Sequence, residues 1–150
     1  MKSDPGYDLV IQVLATASVM VRESHRLFRP HGLSEAQFNV LNVLGPRPEG
    51  VSQRELSDVL VVDRSNITGL LDRMGQAGWV RRADHPTDRR VYLVTLTGAG
   101  LKLWQRVLPE YVAAVRQVTA ALPAAELKRT LATLQRIEQA TREWGNNHES

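Results

Sequence analysis

Residues 51–96 read VSQRELSDVLVVDRSNITGLLDRMGQAGWVRRADHPTDRRVYLVTL, and this stretch decides the fold. Its first part has apolar residues at helical spacing, is interrupted at residues 61–63, and then resumes the same spacing. After Gly78, two short apolar runs flank a polar loop that is rich in arginine. The order predicts a helix, a turn, a second helix and a two-stranded wing.

Local start and stop signals set the limits of the two helices. Ser52 and Glu55 have the spacing of a capping box, which predicts that the first helix begins at Ser52. Asp63 is predicted to cap the second helix by accepting from its free N–H groups. Gly78 stands where a left-handed residue commonly ends a helix.

The second helix is predicted to have one buried and one polar face. Apolar residues recur at i, i+3, i+4 and i+7, which places them in the core: Ile67, Leu70, Leu71 and Met74. Small or hydrogen-bonding residues occupy the opposite face and allow a close approach to base edges: Arg64, Ser65, Thr68, Gly69, Asp72 and Gln76. We interpret Ser65, Asn66, Thr68 and Gly69 as base and phosphate contacts, against the alternative of an ordinary solvated face.

Gly69 is informative because a glycine inside a helix costs ~1 kcal/mol relative to alanine. A close approach of the backbone to DNA, or to another helix, would explain why a glycine stands there.

The wing loop has turn chemistry between Asp84 and Asp88, and the following residues 91–96 are rich in strand formers. A hairpin tip that holds guanidinium groups can insert one into a narrow minor groove. Asp84, His85 and Asp88 also suggest a metal cluster, but so short and flexible a loop makes a poor site. No metal is therefore predicted.

Composition narrows the function without deciding it. The chain has 150 residues, no cysteine and a net charge of +3, and residues 51–96 contain seven arginines against six carboxylates. Bulk charge therefore does not establish nucleic-acid binding, although arginine suits bidentate contacts. No catalytic arrangement stands out, so we predict neither an enzyme nor a cofactor. No signal peptide or membrane-spanning run is evident, and we expect a cytoplasmic protein without a membrane partner.

The ends of the chain are predicted to be helical and to carry surplus apolar surface. We expect helices over residues 7–29, from Ser34 to residue 44, and over 124–144, together with one that Thr97 caps and that Pro109 kinks or breaks. Because soluble proteins avoid large exposed apolar faces, the first and the last helices predict a homodimer with two-fold symmetry.

The segment resembles the MarR family of winged helix-turn-helix transcription regulators. The matching motifs are, in order, Leu56-Ser57, NITGLLDRM at 66–74, GWVRR at 78–82, Asp88-Arg89-Arg90 and Leu96-Thr97. The resemblance implies a mainly α fold with a small β wing. A single domain would span residues 1–150, with a DNA-binding unit at about 34–96 and dimerisation helices at about 7–29 and 98–144.

The resemblance also assigns roles in the wing. The family's pattern of Asp, any residue and Arg falls on Asp88-Arg89-Arg90, which implies that Arg90 enters the minor groove and that Asp88 orients it. The DNA-binding surface is completed by further arginines, of which Arg89 contacts phosphate or is solvated: Arg54, Arg64, Arg73 and Arg89.

A small aromatic or phenolic effector is a further implication of the resemblance. Family members often bind such anions in a crevice between the dimer helices and the DNA-reading unit. Here the first helix, the 34–44 helix and the start of the helix after Thr97 would form its walls, and His25, Arg29 and Phe38 are the candidate ligand contacts.

We therefore predict a dimeric, sequence-specific regulator, a repressor that a small ligand releases. Its operator would be roughly palindromic, with half-sites about one helical turn apart, ~34–36 Å. The alternative is a winged helix that binds proteins and has no operator, because a fold alone does not fix a function.

Overall fold

The computed structural model describes residues 4–60, 64–85, 87 and 91–148, and of residues 64 and 65 the backbone alone. The predicted cap Asp63 lies outside the described residues. The elements are α1 (Pro5–Phe28), a 3-10 turn (Arg29–His31), α2 (Glu35–Leu44), β1 (Val51–Ser52), α3 (Gln53–Leu60), α4 (Arg64–Gln76), β2 (Val80–Asp84), β3 (Tyr92–Leu96), α5 (Gly98–Thr119) and α6 (Ala124–Asn146). The mainly α fold with a small β wing is confirmed.

Side-chain caps begin the helices, largely where the sequence places them. Ser34 and Gln37 form the complete reciprocal capping box of α2. The Ser52 hydroxyl accepts from the Glu55 N–H at 3.1 Å. The α1 helix begins earlier than predicted, because Asp4 accepts from the Gly6 N–H at 2.8 Å and a proline, whose ring preorganises the first turn, follows directly.

Gly78 ends the stretch after α4 as predicted. Its φ is +75°, which an L side chain rarely adopts. The N–H of Trp79 reaches the Met74 carbonyl at 3.0 Å, and the N–H of Gly78 reaches that of Gly75 at 2.9 Å. These are the two bonds of a Schellman motif, which satisfies the last carbonyls of the helix.

The sheet differs from the predicted two-stranded wing. Three strands pair in the order β1-β3-β2, and both pairings are antiparallel. Val51 and Ser52 of β1 lie opposite Val94 and Leu93 of β3. A two-residue strand is too short to show the alternation of a strand, and Ser52 also caps α3, so the sequence revealed only its helical role.

The core is formed by the helix faces that the sequence predicts. Ile67 and Leu70 are buried, as expected, with the other apolar residues of the α4 face. A second part of the core is aromatic: Phe28 stacks on Phe38 with ring centroids 4.4 Å apart, and Tyr111 lies 4.9 Å from Phe38. This cluster joins α1, α2 and α5.

The chain divides into two compact units, Met1–Tyr111 and Val112–Ser150. Helix α5 continues through Pro109, so the alternative of a break there is wrong. Proline has no N–H, so Pro109 leaves the carbonyl of Gln105 without its helical hydrogen bond. Both residues are exposed, and water can therefore bind to this carbonyl. That the whole chain is one domain stays a prediction.

Candidate nucleic-acid interface

Helix α4 has one polar, exposed face and one apolar, buried face. Asn66, Asp72, Arg73 and Gln76 are exposed, whereas the apolar face of the same helix is buried. The predicted contacts Thr68 and Gly69 are half-buried. The arrangement leaves a narrow strip of donors and acceptors that can face a groove. The side chains of the predicted contacts 64 and 65 are outside the described residues.

A hydrogen bond holds α4 on α3. The Gln53 side-chain amide donates to the Thr68 hydroxyl at 2.6 Å, and both side chains are half-buried. The hydroxyl that the sequence assigned to DNA is thus also part of the packing between the two helices. Its role as a DNA contact stays a prediction.

Gly69 has space around it within the chain. Among the described residues, a Cβ at this position would meet the Arg73 guanidinium alone, at the ordinary contact distance of 3.5 Å. Two explanations for this glycine were a close approach of DNA and a close approach of another helix. No described helix of the same chain approaches it closely. The structure therefore favours the other explanation, which is the approach of an external partner such as DNA.

The wing is connected to α4 by an ion pair that the sequence did not reveal. Arg82 Nη2 of β2 donates to Asp72 Oδ1 of α4 at 2.7 Å. Next to it, Arg81 Nε donates to Thr95 Oγ1 of β3 at 3.2 Å. From the sequence, Arg81 and Arg82 are expected to contact phosphates or to be solvated, because residues ten or more positions apart show no pairing signal.

The sequence analysis places the minor-groove contact in the loop that follows β2. Asp88, Arg89 and Arg90 lie outside the described residues, so their roles stay predictions. His85 Nδ1 accepts from the Thr87 N–H at 3.3 Å, which is turn chemistry. Within the part of the chain that the structure describes, no three His, Cys, Asp or Glu residues form a group that could hold a metal ion.

Arg54 extends the polar surface at the start of α3. It is exposed, and it lines the same cleft of about 320 Å³ as Arg82 and Tyr92. Its neighbour Glu55 is engaged by Arg47 Nη1 at 2.9 Å. Within residues 4–60, 64–85, 87 and 91–148, neither Arg54 nor Arg73 has a carboxylate partner, which leaves both guanidinium groups available to an anion.

The three candidate ligand residues lie in different surroundings. His25 and Arg29 are exposed, whereas Phe38 is fully buried in the aromatic cluster. Close by, His31 Nε2 lies 2.9 Å from Glu110 Oε2. The structure thus gives Phe38 a packing role, and its contact with a ligand stays a prediction.

Comparison with known proteins agrees with this geometry. The sequence model of the MarR family matches residues 31–91. The HTH-type transcriptional regulator PecS of Dickeya dadantii is 33% identical over 134 residues, which cover 87% of this chain and 81% of PecS.

The chain belongs to the MarR family. Its members are transcriptional regulators and not enzymes, so this MarR protein is a DNA-binding regulator of transcription.

Two solved MarR structures are similar over most of this chain. CouR from Rhodococcus jostii RHA1, solved with p-coumaroyl-CoA, is 27% identical with a TM-score of 0.81 and covers 87% of this chain and 91% of its own. MOSR from M. tuberculosis, solved in complex with DNA, is 26% identical with a TM-score of 0.72. The match covers 93% of this chain and 99% of the MOSR chain. No described helix of the present MarR protein is long and apolar enough to cross a membrane.

Proposed function

We propose that this MarR protein is a homodimeric repressor that binds a pseudo-palindromic operator. Each subunit places the polar face of α4 in a major groove and its wing in the flanking minor groove. The observation that carries the proposal is the exposed pair Asn66 and Arg73 on a helix whose other face is buried. A rigidly packed helix with one polar strip is the element that reads base edges in helix-turn-helix proteins.

The DNA contacts divide into reading and positioning groups. Residues 65, 66, 68 and 69 of α4 would contact bases and nearby phosphates. Arg54 and Arg73 would contact phosphates, since neither has a carboxylate partner among the described residues and each can therefore neutralise the DNA backbone. Arg64 and Arg89 would add to these phosphate contacts. Arg90 would enter the minor groove, oriented by Asp88.

Exposed apolar faces at both ends of the chain support the homodimer. Along α1, the side chains of Tyr7, Val10, Leu14 and Met20 are exposed, with Leu14 at 59%. Along α6, Leu131 is 57% and Trp144 is 64% exposed. A second copy of the chain would cover both faces and remove them from water. It would also supply the second reading head that a palindromic site requires.

We propose a small aromatic effector on the basis of the likeness to CouR, whose structure contains p-coumaroyl-CoA. His25 and Arg29 are exposed and can approach an anionic group, and Phe38 offers an aromatic face once the cluster around it opens. Such a ligand releases the repressor if it binds the DNA-free arrangement of the two heads more tightly than the DNA-bound one. Because it acts on chromosomal DNA, the repressor would work in the cytoplasm.

Selection from a random duplex library, followed by footprinting and mobility shifts over a salt series, tests the proposal. We expect one protected site with two half-sites, and an affinity that falls with salt. In vitro transcription with and without p-coumaric acid and other phenolic acids then distinguishes a repressor from an activator. Enrichment of no duplex, or equal affinity for every sequence, would contradict the operator and favour a winged helix that binds proteins.

A further inference from the structure

Helix α4 and the wing meet along an open surface groove. A groove of about 400 Å³ separates the second half of α4 from β2 and β3. Its floor is apolar and buried, with Leu71, Val80 and Val94 among its lining residues. Among the other lining residues, Asp72, Gln76 and Arg82 are polar and exposed, so α4 and the wing meet through apolar contact at the floor of the groove and through polar side chains at its rim.

The ion pair between Asp72 and Arg82 spans this groove. Both residues line it, and their side chains meet at 2.7 Å. The adjacent Arg81 reaches the opposite way, to Thr95 of β3. Two consecutive arginines therefore connect β2 to its neighbours on both sides, one to the sheet and one to the recognition helix.

We propose that Asp72 and Arg82 form a clamp that sets the angle of the wing relative to α4. The inference rests on the proposed operator binding, and it makes Asp72 a positioning residue that acts through Arg82. A carboxylate on the polar face of a DNA-reading helix would by itself repel phosphates. The presence of Asp72 on this face is explained if its carboxylate holds Arg82 across the groove and so fixes the wing. A fixed wing lets the major-groove and minor-groove contacts form together.

The clamp and a simple charge effect predict different changes in DNA binding for Asp72→Ala. Removing a negative charge near DNA should strengthen binding to every duplex. The clamp instead predicts that preference for the selected operator over a scrambled duplex falls by roughly two- to fivefold. Both side chains are about half exposed, so the pair contributes little to folding and the thermal midpoint should barely change.

A double-mutant cycle of Asp72→Ala and Arg82→Gln measures the clamp directly. The probes are the duplex that the wild type selects from a random library and its scrambled version. Each single variant should lose preference, and the double variant should lose no more than the worse single one. The matched control is Asp84→Ala, which removes the same charge from an exposed position on β2 and should keep the preference.

The outcomes separate the clamp from the proposed function. Wild-type protein without any sequence preference contradicts operator binding. A preference that survives Asp72→Ala, or losses that simply multiply in the double variant, contradicts the clamp alone.

Hydrogen exchange on the DNA-free protein gives a reading that needs no operator. Asp72→Ala should speed exchange of the amides in β2 and β3 by roughly twofold or more, with no further increase in the double variant. Unchanged exchange would show that the ion pair does not restrain the wing.

Discussion

At the scale of single residues, three glycines differ in what their surroundings require of them. Gly78 provides the positive φ that ends the stretch after α4. Gly100 provides room, because a Cβ there would overlap the carbonyl oxygen of Trp79. Gly69 shows neither constraint among the described residues. The proposed approach of DNA to its backbone would account for a glycine at this position.

Gly69→Ala should separate stability from DNA binding. The added methyl group fits at 3.5 Å from Arg73, and the helix gains propensity, so the free energy of unfolding should rise by about 1 kcal/mol. Operator binding should weaken by on the order of 1–3 kcal/mol because the backbone no longer approaches the groove as closely. Chemical denaturation and mobility shifts measure the two effects. Undiminished operator affinity would place Gly69 away from DNA.

Gly100→Ala should destabilise the protein by about 2–3 kcal/mol, because the new methyl group meets a backbone carbonyl that cannot turn aside. That carbonyl of Trp79 already accepts from the Thr97 N–H at 3.0 Å. Gly98→Ala is the matched control, since a Cβ there meets nothing within 4 Å. Denaturation midpoints of the two variants should differ clearly, and equal midpoints would contradict the crowded contact.

At the scale of elements, features that depend on a few neighbouring residues were predictable and long-range pairings were not. The Ser34 box, the Ser52 cap and the Gly78 stop are each encoded within three or four positions. The β1 strand and the pair of Asp72 with Arg82 depend on which distant partner comes close. Periodicity shows which face of an element is buried but does not name the element that it meets.

At the wing, Arg90→Ala should weaken operator binding by on the order of 1–3 kcal/mol through loss of the minor-groove contact. The dimer should stay intact, because the wing is remote in sequence from both exposed terminal helices. Arg106→Ala on α5 removes the same charge from an exposed site and serves as control. Titration of labelled operator measures both variants. If Arg90→Ala binds like Arg106→Ala, the minor-groove assignment fails.

At the scale of the whole molecule, the described apolar surface is distributed unevenly. The first unit has a buried core, whereas α6 has no buried residue in the single chain. A helix with an apolar stripe but no burial gains little from tertiary packing, which is the main source of helix stability in proteins. The regular apolar pattern of α6 therefore supports the proposed homodimer.

Leu131→Asp should shift the protein from dimer to monomer, and operator binding should fall with it. Leu131 is largely exposed in the single chain, so the change should not disturb the core of a subunit. Ala132→Asp adds the same charge on the other side of α6 and should leave the dimer unaffected. Sedimentation over a concentration series measures the association. A Leu131→Asp variant that stays dimeric would remove α6 from the interface.

The three tryptophans occupy three different places. Trp79 is half-buried just after α4, Trp104 is half-buried with its indole N–H donating to Asn42 at 3.2 Å, and Trp144 is exposed on α6 and stacks on His148. In variants that keep a single tryptophan, fluorescence would therefore report separately on the region after α4, on the contact of α5 with α2, and on α6. Acrylamide quenching of a variant that keeps only Trp144 would follow subunit association by dilution, without any attached dye.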